Sequence, residues 1–145
     1  MARGRLYKFE KWTLHSKYEV GIAEDLREKG IEFDYEAKTF KYTVQVPHTH
    51  CTECGAKPAS KTAKYTPDFF LPNGIIVEAK GRWTSSDRKK MAAMAEQYPE
   101  LDIRMLFKSD NWLTKAHRDS YSTWCEKRGI PYHVGDVIPE EWLNG

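Results

Sequence analysis

Tyr18, Ile22 and Leu26 fall four residues apart, and Gly30 follows them. That spacing predicts a helix over 16–29 with one apolar stripe and a glycine stop. The period then changes. Ile31, Phe33 and Tyr35 alternate with acidic residues, which predicts a half-buried strand over 31–37. Residues 40–46 alternate in the same way and either extend that strand or form a second one. The stretch 47–64 is polar, rich in Lys, Thr and Ser, and reads as an inserted loop. Residues 65–71 and 75–80 are apolar runs separated by Pro72, Asn73 and Gly74, a turn signal that predicts a hairpin. A helix over 86–98 buries Met91, Met94 and Ala95, and a strand over 101–107 follows. A short helix over 121–128 is closed by Gly129, an extended piece covers 130–134, and 138–143 end the pattern. Residues 1–15 read as irregular and basic. The order of helix, strands, helix, strand, helix, strand gives an α/β fold, a mixed sheet flanked by helices, in one domain over 1–145.

Composition narrows the setting. No apolar run approaches the roughly 18 residues of a membrane span, and 1–5 lack the apolar stretch of a signal peptide. The three cysteines are an odd count and suggest no disulfide framework. A cytoplasmic protein with reduced thiols is expected. The formal net charge is only +2, but the cations are clustered. Arg3, Arg5, Lys8, Lys11 and Lys17 face a single acid, Glu10. Arg82, Arg88, Lys89 and Lys90 form a second group, and Lys108, Lys115, His117 and Arg118 a third. Such clusters fit phosphate binding or an ordinary solvated face.

The hairpin carries the chemistry. Pro67-Asp68 lies in one arm and Glu78-Ala79-Lys80 in the other. Side chains on a strand alternate, so Glu78 and Lys80 share a face while Val77 and Ala79 point the other way. The turn can return Asp68 to the side of Glu78. Two adjacent carboxylates repel unless a cation lies between them. Hard oxygen ligands suit Mg²⁺, which keeps several waters and needs only one or two protein carboxylates. A metal so held polarises a phosphodiester and activates water, and Lys80 can orient that water or offset charge on phosphorus. A lone Glu-x-Lys on a surface strand is usually an ordinary ion pair; Pro-Asp at this distance makes a nuclease the better reading.

These residues resemble the Pro-Asp…Asp/Glu-x-Lys nucleases, the restriction-endonuclease-like superfamily. The longer run from Tyr65 to Trp83, followed by Asp87-Arg88-Lys89-Lys90, is more specific. It is similar to the endonuclease I family of the T-odd phages, which are Holliday-junction resolvases. Further matches lie at 29–36, 99–104, 125–130 and 138–142, so the resemblance spans about 16–143. It implies that Glu19 completes a site of two Mg²⁺ ions, with Mn²⁺ able to substitute. Asp68 would bridge the ions, Glu78 and the Ala79 carbonyl would hold one, and Glu19 the other. Ser16 and Glu19 also have the spacing of a helix capping box, which competes with that role. The resemblance further implies an intertwined homodimer in which 1–46 cross to the partner, so that Glu19 of one chain meets Asp68, Glu78 and Lys80 of the other. Branched DNA read by shape and backbone charge is the implied substrate, and a bacterial host's cytoplasm the implied location. Lys17, Arg82, Arg88, Lys89, Lys90, Lys115 and Arg118 are candidates for phosphate contacts.

Two departures stand out. The chain ends soon after Trp142, where the family resemblance implies a basic tail. The insertion contains His48, His50, Cys51 and Cys54, and Cys-x-x-Cys-Gly is a turn that lets two thiolates reach one metal. These residues are a candidate structural zinc site, or two reduced thiols on a polar loop. Cys125 is expected inside its helix. A nuclease of nicking or mismatch-directed specificity and a non-catalytic zinc-containing DNA-binding protein are the competing readings.

Overall fold

The computed structural model describes residues 6–45 and 60–144. It opens on a small hairpin, β1 (Tyr7–Phe9) and β2 (Trp12–Leu14), where the sequence had suggested irregular chain. Glu10 turns the corner at φ 51°. Its carboxylate accepts two hydrogen bonds from Arg27, whose guanidinium also lies over the Trp12 and Phe33 rings.

Helix α1 (Lys17–Glu28) follows as expected, capped by the Ser16 hydroxyl on the Glu19 amide. Ile22, Ala23 and Leu26 are fully buried along its stripe. Burial of Ile22 and of Leu26 each contributes about 1.5–3 kcal/mol. The predicted strand over 31–37 shrinks to β3 (Asp34–Tyr35). Phe33 and Tyr35 still share the buried side, but Ile31 lies in irregular chain closing the helix, where its amide bonds the Leu26 carbonyl.

Strand β4 (Phe40–Gln45) pairs antiparallel with β5 (Ser60–Tyr65) in a separate ribbon. Residues 60–64, read from their polarity as the end of a loop, are therefore strand. Ser60, Lys61, Thr62 and Lys64 are all exposed, which is why they carry no apolar alternation. His48, His50, Cys51 and Cys54 lie outside the described residues.

The central sheet has the order β3, β6 (Phe69–Phe70), β7 (Ile75–Lys80), β8 (Asp102–Phe107), β9 (Tyr132–Val134). Its first three strands run antiparallel and its last three parallel. The expected turn joins β6 to β7, with Gly74 at φ 92° where a side chain would be strained. Helix α2 (Ser85–Gln97) carries a capping box between Thr84 and Asp87. Helix α3 (Tyr121–Arg128) ends on Gly129 in the left-handed region, and α4 (Glu140–Leu143) closes the chain.

Alternation along β7 divides the core. Ile75, Val77 and Ala79 face α1, Phe69 and Trp142. Ile76 faces the other layer, with Met91 and Met94 of α2 and Cys125 of α3. Cys125 is fully buried, as its helical position suggested, and burial pushes its thiol up to about 12. No helix among the described residues is long and apolar enough to cross a membrane.

Candidate active site

The hairpin register sets the site. Phe69 lies opposite Val77, which places Asp68 across from Glu78. Pro67 has no amide for a ladder, and the Asp68 carbonyl instead accepts from Glu36. The Asp68 side chain turns inward, where Oδ2 accepts a hydrogen bond from the Ala79 amide at 2.9 Å. Glu78 points to the α2 layer and accepts a short hydrogen bond from the Tyr65 hydroxyl. Lys80, two residues on, shares that face and lies 3.8 Å from Glu78 and 3.7 Å from Asp87.

Helix α1 brings the third carboxylate. Glu19 is buried, and its Oε1 accepts from the Tyr35 hydroxyl at 2.7 Å. Oε2 accepts from the His15 amide at 3.1 Å and the Ser16 hydroxyl at 3.0 Å. Ser16 thus caps the helix while Glu19 is drawn off the reciprocal bond of a full capping box. Cap and inward carboxylate coexist. Glu19, Asp68, Ala79 and Lys80 line one cleft of about 260 Å³ at the carboxyl end of β7. Within this single chain α1 packs on its own sheet.

Three buried carboxylates shape the electrostatics. Burial, then the charges of Glu78 and Glu19, hold the Asp68 carboxyl well above its ordinary range. Burial raises Glu78 too, against the opposing pull of Lys80, Tyr65 and Asp68. Burial pulls Lys80 downward, but Glu78, Asp87, Asp68 and Glu19 together outweigh it and keep the ammonium charged. Burial and mutual repulsion both disfavour two charges on the Asp68–Glu78 pair. A divalent cation would offset that repulsion, so the donor set fits Mg²⁺. Among the described residues no three His, Cys, Asp or Glu side chains are already gathered as a metal cage. Mg²⁺ does not need one, because water completes its shell.

Sequence reasoning missed three partners. Tyr35 and Tyr65 hold the carboxylates, and Asp87 holds Lys80 with one oxygen while its other caps α2. The inward position of Tyr35 beside Phe33 was a signal for the first. Nothing in the local pattern marked the other two.

The cations fall into three places. Lys17 and Arg82 are exposed beside the cleft, next in sequence to Ser16 and Gly81. Lys89 lines a groove between α2 and the β4–β5 ribbon with Lys61. Lys90 lines that groove too but also reaches a small cavity with Glu78, Lys80 and Asp87, which makes it part of the site's interior. Arg88 is half-buried and donates to the Trp83 carbonyl at 2.8 Å. Lys115 and Arg118 are exposed in the loop between β8 and α3.

A five-stranded mixed sheet flanked by helices, with Glu78 and Lys80 on β7 and buried Asp68 and Glu19 beside them, is the arrangement expected of a restriction-endonuclease-like nuclease. Comparison with known proteins agrees. The chain matches the family model described as phage endonuclease I over residues 3–145, and it belongs to that family. It is 43% identical over 133 residues to "Endonuclease I" of Escherichia phage T7, covering 91% of this chain and 79% of that protein. It is 45% identical over 128 residues to "Endodeoxyribonuclease 1" of Enterobacteria phage T3, covering 88% of this chain and 74% of that protein. The family resemblance read from the hairpin is thereby borne out.

Lys80 yields the first expected result. Lys80→Ala should slow single-turnover cleavage by about two orders of magnitude, the usual loss for one contact made to transition-state charge. Asp87 keeps its bonds to Thr84 in that variant, so α2 stays capped and far-UV circular dichroism should be unchanged. Wild-type rates would remove Lys80 from the chemistry.

Proposed function

We propose that this protein is a Mg²⁺-dependent endodeoxyribonuclease that resolves four-way and other branched DNA by paired nicks, acting as a homodimer in the host cytoplasm. The observation that carries the reading is Asp68, flanked by Glu78 and Glu19 and followed across the hairpin by Lys80. Asp68, Glu78 and the Ala79 carbonyl would hold one ion, and Asp68 with Glu19 a second; Mn²⁺, another hard cation of similar demands, can substitute. When bound, such ions polarise the phosphodiester and acidify the attacking water. The chain's own residues do the rest. Tyr35 and the His15 amide hold Glu19 toward the cleft, Tyr65 fixes Glu78, and Asp87 steadies the Lys80 ammonium against the phosphate's developing charge. Lys17 and Arg82 flank the opening as phosphate contacts.

Two nicks on a four-way junction need two sites related by a two-fold axis, which a homodimer supplies. Exchange of the N-terminal part between chains would make the contacts of α1 with the sheet between copies instead of within one. Branched DNA is then chosen by shape and by the spacing of the two sites, without base contacts.

Ca²⁺ separates binding from cleavage. It accepts the same carboxylates, so affinity for a labelled four-way junction should rise above the metal-free level. Its ligands stand at about 2.3–2.6 Å in loose coordination, against about 2.0–2.1 Å and octahedral order for Mg²⁺. A looser shell would place the attacking water less well, a loss on the order of a hundredfold. Gel-shift and cleavage assays should show tight junction binding in Ca²⁺ with little cutting, then cutting on adding Mg²⁺ or Mn²⁺. Equal cleavage of linear, mismatched and four-way substrates overturns the junction selectivity, and metal-independent cleavage overturns the carboxylate site.

A further inference from the structure

The loop between β8 and α3 contains a feature that cleavage does not use. Trp112 is 53% exposed, the only exposed Trp, Tyr or Phe among the described residues. It is not loose. An isolated bridge pairs Trp112 with Ser120, the Leu113 amide bonds the Asp119 carbonyl, and the Tyr121 amide bonds the Asn111 carbonyl. The His117 imidazole lies flat against the indole, with centroids 5.0 Å apart and planes within 17°. His117 adopts φ 53°, a left-handed backbone uncommon outside glycine. The loop therefore spends backbone strain to stack one face of Trp112 and leave an aromatic surface to solvent.

Its surroundings are cationic. Lys108, Lys115 and Arg118 are exposed and make no ion pair among the described residues. The loop's two acids are engaged elsewhere: Asp110 accepts from the Ser122 amide at 3.0 Å, and Asp119 pairs with Lys127 at 2.7 Å. The loop is also fixed relative to the cleft. The Lys108 amide bonds the Lys80 carbonyl at 3.2 Å, and the Trp83 amide donates to the Tyr121 hydroxyl at 3.0 Å.

A flat, pre-stacked ring among unpaired cations suits a ligand with a π-face next to a phosphate. We propose that Trp112 is a stacking platform for an unpaired nucleobase of the DNA substrate, with the base closing a sandwich on the indole opposite His117 and Lys108, Lys115 and Arg118 taking the adjoining phosphates. A paired, stacked base in a linear duplex offers no such face, so the platform favours DNA with bases freed near a branch. This deepens the nuclease reading and rests on it.

The test uses the full-length protein in Ca²⁺ and fluorescence anisotropy with two labelled probes, a short single strand and the matching duplex. Trp112→Ala should weaken single-strand binding by about 5- to 150-fold, the range for loss of one base–aromatic stack, and change duplex binding by less than about twofold. Trp112→Phe should recover most of the loss. A 2-aminopurine placed in the single strand should be quenched by the wild type and not by Trp112→Ala. Unchanged single-strand affinity in Trp112→Ala overturns the platform and turns the exposed indole toward a protein partner. Equal loss on both probes overturns it too, since it signals a general weakening of charge or fold. Cleavage of a four-way junction by the same wild-type preparation is scored in Mg²⁺. Absence of cutting there counts against the nuclease reading alone, because the binding contrast does not depend on it.

Discussion

Asp68→Asn should abolish cleavage while making the metal-free protein harder to unfold. The amide keeps the shape of the carboxyl, its oxygen can still accept from the Ala79 amide, and its NH₂ can donate to Glu78. Charge is what it removes. The folded Asp68 carboxyl titrates above its unfolded value, because of burial and the carboxylates of Glu78 and Glu19. The stability linked to such a group is fully present below the unfolded value and is lost as pH rises through the folded one. At neutral pH without cations, the Asp68 carboxyl therefore lowers the stability of the wild type relative to low pH, a loss that asparagine is spared. In EDTA the Tm of Asp68→Asn should exceed that of the wild type. Mg²⁺ should raise the wild-type Tm and move the variant's much less. Cleavage should fall by at least about a thousandfold, the upper end for loss of one group acting on transition-state charge. A variant that still cuts, or one whose Tm falls, refutes the account of Asp68 as a metal ligand held at a cost in stability.

Mixing two inactive chains should restore activity if the N-terminal part is exchanged. Glu19→Gln alone and Glu78→Gln alone each spoil both sites of a homodimer. In an exchanged heterodimer, one site receives both substitutions and the other receives neither. Co-expressed chains carrying distinct affinity tags, purified for both, should then nick one strand of a four-way junction while each parent is silent. If every site is closed within one chain, each site of the heterodimer keeps one lesion and no nicking appears. The outcome is all or none, which makes it independent of small differences in yield or stability.

The site was legible where chemistry and period coincide. Alternation through Ile75, Val77 and Ala79 put Glu78 and Lys80 on one face, and the turn at Asn73-Gly74 brought Asp68 to the same place. The helix over 16–29 showed itself by its cap and stripe. Hidden features had physical reasons. The β1–β2 hairpin turns at Glu10-Lys11, without the Gly or Asn that such turns usually show, and its charged residues obscure Tyr7, Phe9, Trp12 and Leu14. Strand β5 is largely solvated, so polarity made it look like loop. In the sequence Asp87 stands only as the first residue of the Asp87-Arg88-Lys89-Lys90 run; its cap on α2 and its second oxygen facing Lys80 show only in the structure.

The packing of α1 also decides when two chains can trade parts. Its buried residues Ile22, Ala23 and Leu26 cover the face of the sheet formed by Val77, Ala79 and Leu106, with β1–β2 and Phe33 beside them. Lifting the N-terminal part away opens most of one hydrophobic layer at once, so no modest local opening permits exchange in the folded molecule. Any exchange would then share a barrier with global unfolding. If the chain pairs by exchange, the choice between a self-closed chain and an interlocked pair would be made during folding, by mass action at the concentration of chains then present, and later dilution would leave such a pair kinetically trapped.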